Sequence, residues 1–329
     1  MPSVALFGLV LVLAVAFDYT NGFHDTANAV ATVIGTRVLR PPVAIAMSAV
    51  LNFVGALVGT SVAATIGKGV VDPKDVTLAV LVAALLAALA WNLFTWALSI
   101  PSSSSHALIG GLLGAAVAAA GFRAVAPTVG RDVVLPLLLS PVAGLAAGYL
   151  LMSVLFGALR RVELGTVQAS FSRLQVLSAA WMSFSHGLGD AQKTMGVMTL
   201  ALVAAGWLPA FVVPLWVKVL AAAAMGAGTA GGGYRIIKTV GLRLNRMQPV
   251  HGFAAETAAG LIISGLARLG HPVSTTHVIA STVAGVGAAR RASSVRWAIL
   301  RDIIWAMILT IPASGLLAAF LYRVGLRHL

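Results

Sequence analysis

The chain has 329 residues, of which 59% are hydrophobic and 9% charged, with a mean hydropathy of +0.97 and a net charge of +13. Soluble domains carry about 25% charged residues, so most of this surface is built for lipid, and the lack of cysteine excludes disulfide frameworks and thiolate chemistry. Lys and Arg lie in short clusters between apolar runs, the pattern of membrane loops under the positive-inside rule and not that of a nucleic-acid-binding face.

Apolar runs of about 20 residues recur along the chain, the length that spans a bilayer as a helix. They do not alternate apolar and polar residues as barrel strands do, so the expected class is an all-α polytopic membrane protein. The N-terminal run, Val4 to Phe17, has neither a basic leader nor an A-x-A site, and it is kept in the fold. It opens a first unit, Val4 to Thr36, interrupted by Asn21-Gly-Phe-His-Asp-Thr-Ala-Asn28. A basic loop, Arg37 to Pro42, leads to unit two, Val43 to Ile66, and then to a polar loop, Gly67 to Asp75. Unit three, Val76 to Gly121, is interrupted at Pro101-Ser-Ser-Ser-Ser-His106, and unit four is Val133 to Leu159.

The stretch 160–173 reads as a short basic linker between two transmembrane repeats, 1–159 and 174–329. Unit five, Leu174 to Gly206, is broken by His186-Gly-Leu-Gly-Asp-Ala-Gln-Lys-Thr194. Unit six is Ala210 to Gly231, followed by a basic loop with Arg235, Lys238, Arg243 and Arg246. The glycine-rich Gly226 to Gly233 lacks a Walker lysine and a preceding strand, and reads as a close-packed helix end or hinge. Unit seven, Gly252 to Ala289, is interrupted at Pro272-Val-Ser-Thr-Thr-His277, and unit eight is Ile303 to Tyr322.

Both polar motifs occur twice. A shift of 165 carries Gly22 onto Gly187, Asp25 onto Asp190 and Asn28 onto Lys193, and a shift of 171 carries Pro101–His106 onto Pro272–His277. With the four basic segments placed in the cytoplasm, units three and seven must return to the side they started from. The two halves then run in opposite directions, the inverted-repeat plan of many secondary transporters. Each half is expected to hold a broken helix and a re-entrant helical hairpin.

Ionisable groups inside apolar spans mark pathways and sites. Proline followed by Ser and Thr suits a helix start, where free N–H groups and the positive end of the helix dipole favour an oxyanion. Ser103, Ser104, Ser105, Ser274, Thr275 and Thr276 are therefore candidate anion ligands, although such hydroxyls can also bond only their own helices. Asp25 and Asp190 could bind a cation or proton, or accept a bond from a protonated anion. Hydrogen phosphate carries such an O–H and sulfate does not. Asn21, Asn28, Gln192 and Thr194 could bond anion or cation, and Lys193 could be an anion partner or a neutraliser of Asp190. Glu256, without a twin at the equivalent Leu85, is a cation or proton candidate, and Asn52 a weaker polar one. His24, His106, His186 and His277 show no metal-ligand spacing. His106 and His277 are expected to orient the serine loops or relay protons, and an intramembrane metalloenzyme is not expected.

These four motifs resemble those of the inorganic phosphate transporter (PiT) family, with a Gly-x-Asn/His-Asp-x-x-Asn stretch and a later Pro-x-Ser-Ser/Thr-Ser/Thr-His stretch in each half. The resemblance covers nearly the whole chain. It implies phosphate symport with sodium or protons in a cytoplasmic membrane, no other cofactor, and alternating access around a midplane site. It places Asp25, Asn28, Asp190, Ser103 to Ser105 and Ser274 to Thr276 around phosphate and cation, and ties Glu256 to the cation. Lys193 departs from the family's usual Asn, and Asn52 stands where sodium-coupled members often have Glu. The second departure points toward protons or a neutral metal–phosphate complex. The alternatives are a sulfate permease of the same fold and a passive anion channel; a homodimer is compatible with any of them.

Overall fold

The computed structural model describes residues 2–98, 100, 102–232, 247–291, 293 and 295–328. Among these the chain is helical, with one isolated antiparallel bridge between Val71 and Val125. Pro101 and the basic residues of 233–246 lie outside the described residues, as does Gly233 of the glycine-rich stretch.

The first half comprises α1 (Pro2–Gly35), α2 (Pro41–Ala56), α3 (Ser61–Gly69), α4 (Leu78–Ala97), α5 (Ser104–Ala120) and α6 (Leu135–Leu159). The second comprises α7 (Leu164–Ala204), α8 (Leu215–Gly231), α9 (Pro249–Arg268), α10 (Thr275–Arg290) and α11 (Trp297–Leu321). Five of the described helices are long and apolar enough to cross a bilayer, or six if α2 and α3, which meet at a 68° bend, form one span. Apolar side chains such as Val12, Leu138, Leu150, Leu316 and Phe320 face outward, while Asp25, Asp190, Lys193 and Glu256 are buried. This inversion of the soluble pattern fits a protein surrounded by hydrocarbon.

Two expectations need correcting. The polar motifs do not break units one and five, because α1 and α7 run through them without interruption. A helix satisfies its backbone bonds internally, so polar side chains at its middle need only a polar partner to face. The first half's break falls instead in the apolar unit two, between α2 and α3, around Gly59 at φ +93°. Nor is 160–173 a loop: α7 begins at Leu164, and its first turns are held by Phe171, whose ring packs edge-on against Phe253 at 5.3 Å.

Units three and seven each form a pair of packed helices, α4 with α5 and α9 with α10. The loop after α3 is bonded to the loop after α5, through Asp72 N–H to the Ala124 carbonyl at 2.8 Å and Ala126 N–H to the Val70 carbonyl at 3.2 Å. Both strands of the first hairpin therefore open on one end of the molecule. The N-terminal part of α1 is at that end too, since Phe7 meets Trp207 at 4.4 Å and Lys68 sits 5.5 Å over Phe211.

Several helix contacts recur when the halves are exchanged. The first hairpin's α5 lies on the second half's α11, and the second hairpin's α10 lies on the first half's α6. Likewise α2 packs on α7, and α8 on α1. Glycine makes these last contacts possible: a Cβ on Gly55 would lie 2.1 Å from the Phe184 carbonyl oxygen, and one on the equivalent Gly228 would lie 2.1 Å from that of Tyr19. Gly22 and Gly187 serve the same purpose, against the Met225 and Asn52 carbonyls. Each half thus supplies a hairpin whose outer helix is clamped by the other half, and both hairpin tips arrive at the middle of α1 and α7.

Candidate functional site

On α1 the buried residues Asp18, Asn21, Asp25, Asn28 and Thr32 follow one another by three and four positions, which puts them on one face. His186, Asp190 and Lys193 repeat that spacing on α7. The two helices pack together, so the stripes meet in the interior.

Each hairpin brings a capped helix start to these stripes. Ser103 and Ser274 are N-caps in extended conformation, and their hydroxyls accept the N–H of His106 at 3.2 Å and of His277 at 3.4 Å. The next two hydroxyls point at the carboxylates. Ser104 Oγ donates to Asn21 Oδ1 at 2.6 Å and approaches Asp25 Oδ2 at 3.3 Å. Its equivalent Thr275 Oγ1 donates to Asp190 Oδ2 at 3.2 Å. Ser105 Oγ donates to the Val273 carbonyl at 3.1 Å and accepts from Lys193 Nζ. Its equivalent Thr276 Oγ1 donates to the Ser102 carbonyl at 3.2 Å and accepts from Asn28 Nδ2 at 2.8 Å. Thus each hairpin's first hydroxyl bonds its own half's aspartate, and its second links the other half's tip to the residue three positions after the other aspartate.

The halves are tied at the centre by His186. Its Nδ1 meets Asn52 Oδ1 at 3.0 Å, while its Nε2 lies 3.5 Å from Asp190 Oδ2 and 4.0 Å from Asp25 Oδ2. One ligand atom from each of Asp25, His186 and Asp190 lies within 4.8 Å of the others. Asp25 is further paired with His24 Nδ1 at 2.8 Å, and Asp190 with Lys193 Nζ at 2.5 Å. The rings of His106 and His277 meet edge to face at 5.0 Å, so the two tips touch each other directly. Two helix N-termini, four hydroxyls, two carboxylates and an ammonium thus gather where the two hairpin tips meet α1 and α7. Such a set can hold an oxyanion against the helix ends and a cation against the carboxylates.

The structure brings together Asn21, Asp25, Asn28, Ser103, Ser104, Ser105, Asp190, Lys193, Ser274, Thr275 and Thr276. Gln192 is turned away: its Oε1 accepts Val62 N–H at 2.8 Å and caps the start of α3. Glu256 is also apart, its oxygens accepting from Thr32 Oγ1 at 2.5 Å, Gln175 Nε2 at 3.2 Å and Ser178 Oγ. Asn52 acts on His186 and on Thr229, to which it donates at 2.9 Å. Thr194 lies beside a residue that sequence reasoning passed over, Asp18. Asp18 is fully buried, with Thr194 and Asn21 beside its carboxylate. Its sequence signal was available: a carboxylate two helical turns before Asp25, on the same face. Its position in the second half is Ser183, so repeat matching could not find it.

Residues 21–318 match the family model described as the phosphate transporter family. A protein of Bacillus subtilis (strain 168) named "probable low-affinity inorganic phosphate transporter" is 45% identical over 96% of this chain and 96% of its own length. One of the same name from Rhizobium meliloti (strain 1021) is 43% identical over 96% and 95%. A solved structure titled "The sodium-dependent phosphate transporter" superposes with a TM-score of 0.88 over 97% of this chain and 98% of its own, at 23% identity, and supports the fold. With a family match spanning both motif pairs and relatives of this identity along nearly the full length, the chain belongs to the phosphate transporter family and is an integral protein of the cytoplasmic membrane.

Proposed function

We propose that this protein imports inorganic phosphate by cation symport, alternately exposing one site between two inverted repeats. The observation that carries this reading is the convergence of two serine-capped helix starts on Asp25 and Asp190, with equivalent bonds from each half. The helix ends and hydroxyls attract a tetrahedral oxyanion. The carboxylates accept its O–H groups, which favours hydrogen phosphate over sulfate. Two aspartates facing an anion are tolerable only with positive charge between them, and that requirement couples anion to cation. The names of the relatives support phosphate as the anion. The charge pattern supports cytoplasmic placement of 37–40, 160–173, 235–246 and 290–301, and hence the opposed orientation of the halves.

Along α1, Asp18 and Thr32 lie seven residues to either side of Asp25, about 10 Å each way. Asp18, together with Thr194, and Glu256, held by Thr32, are therefore carboxylates flanking the central site, one toward each end of the helix. They extend the polar stripe into a cation path through an apolar interior.

The test is labelled phosphate uptake into proteoliposomes under a sodium gradient, a proton gradient or neither, with excess unlabelled sulfate as competitor. Uptake is expected to follow one gradient and to ignore sulfate. Full competition by sulfate would make the protein a sulfate permease, and gradient-independent uptake would make it a channel.

A further inference from the structure

Equivalent acceptors surround two equivalent points in the site. In the second half, Asp190 Oδ1, Ser105 Oγ and the Val273 carbonyl converge on a single atom, Lys193 Nζ, the latter two from the two hairpin tips. In the first half the corresponding atoms are Asp25 Oδ1, Thr276 Oγ1 and the Ser102 carbonyl: Thr276 Oγ1 lies 3.5 Å from the first and 3.2 Å from the second. A carboxylate, a hydroxyl and a backbone carbonyl form an all-oxygen set of the kind hard cations take. Asn28 stands where Lys193 stands in the other half. Its Nδ2 bonds Thr276, but its Oδ1 is buried and, among the described residues, without a hydrogen-bond partner.

The geometry points to Lys193 as a resident cation: its ammonium fills in the second half the place that a mobile coupling cation takes in the first, among Asp25, the Asn28 carbonyl, Thr276 and Ser102. An ammonium has three N–H donors and no acceptor. Here all three donors have an oxygen acceptor, one of them a carboxylate at 2.5 Å. So placed, the group has every donor engaged and offers none to the anion. Asp190 then needs no second cation from solution. Asn28 brings no charge to Asp25, whose Oδ1 meets the His24 ring nitrogen at 2.8 Å and Thr276 Oγ1 at 3.5 Å, and its own buried carbonyl oxygen is left for a cation or a donor to satisfy. The consequence is a lower stoichiometry, with one fewer coupling cation per phosphate than a site carrying Asn in both halves.

This rests on the symport reading above, and the experiment separates the two. Phosphate accumulation is measured in proteoliposomes clamped at zero membrane potential, at several fixed gradients of the coupling cation, either sodium at constant pH or protons without sodium. Lys193→Asn is expected to gain one cation per phosphate, so that a tenfold cation gradient yields about tenfold more accumulation than in the wild type. Its cation dependence should steepen, and uptake lost at low cation should return at high cation. The exchange variant Asn28→Lys/Lys193→Asn should return to the wild-type stoichiometry, with the two places swapped, and Lys193→Arg should not add a cation. Should Lys193→Asn not transport, cation-dependent thermal stabilisation by phosphate in detergent supplies the same reading, with a steeper cation dependence than wild type. An unchanged cation dependence with a raised phosphate KM would overturn the proposal and make Lys193 an anion ligand. So would a variant whose phosphate binding cannot be restored by any cation concentration. Loss of cation coupling in the wild type itself would instead remove the symport reading.

Discussion

In the first half an amide of Asn28 reaches across to Thr276; in the second an ammonium of Lys193 reaches across to Ser105 and also holds Asp190 and a backbone carbonyl. Around these two residues nearly everything else is matched, from the serine caps to the glycines that let α2 and α8 approach the motif helices. The comparison teaches that a duplicated site keeps its frame of hydroxyls and carbonyls while its charge can differ between the copies. A frame is fixed by backbone geometry, but a charge needs only one side chain.

The equivalent aspartates are the strongest test of that asymmetry. Asp25→Asn and Asp190→Asn are both expected to bring phosphate uptake to background. They should differ in stability, because Asp190→Asn strands the buried Lys193 ammonium, at a cost of about 3–5 kcal/mol, whereas Asp25→Asn strands no ammonium, its partner at 2.8 Å being the His24 imidazole. Melting in detergent should place Asp190→Asn well below Asp25→Asn, and equal melting temperatures would break the comparison. The glycines should behave oppositely, as true equivalents. Gly55→Val and Gly228→Val each force a side chain onto a carbonyl 2.1 Å from the Cβ, and both should lose about 1–3 kcal/mol, by similar amounts.

Glu256 has no counterpart in the first half. Glu256→Gln keeps the shape but only one acceptor oxygen, enough for Thr32 or for Ser178, and puts an NH2 donor in place of the other carboxylate oxygen. The expected result is a cation half-saturation raised by about tenfold, equivalent to about 1.4 kcal/mol, with phosphate KM little altered. A rise confined to phosphate KM would move Glu256 into the anion site. The smallest effect should come from Gln192→Ala, which removes the cap from α3 and should cost about 1 kcal/mol of stability with little change in KM.

Much of this site was legible because charge and carboxamide are conspicuous in apolar sequence, and because the chain displays each motif twice. Proline and serine announced the hairpin tips for the same reason. Continuity of α1 and α7 was not legible: Asn21–Asn28 looks like an interruption, yet its residues share one helical face and find partners on a neighbouring helix. The bend between α2 and α3 was hidden in an apolar run, and the contact from Gln192 shows what caps it. Asp18 escaped because repetition was the guide and Asp18 is not repeated. Glu256 and Gln192 were recognised as polar residues in lipid-like surroundings, but which neighbours they meet is decided by helix packing that sequence spacing does not encode.

The contact between His106 and His277 carries a consequence of its own. In an edge-to-face pair one ring offers its edge and the other its face, so the two histidines are not in equivalent positions. The two hairpin tips therefore differ at the place where they touch. In this arrangement His106 Nδ1 is bonded to Ser103 Oγ at 2.8 Å, while among the described residues neither nitrogen of His277 has a hydrogen-bond partner. The two matching tips thus carry unlike histidines: one is tethered to its own cap, and the other is held by ring contact alone.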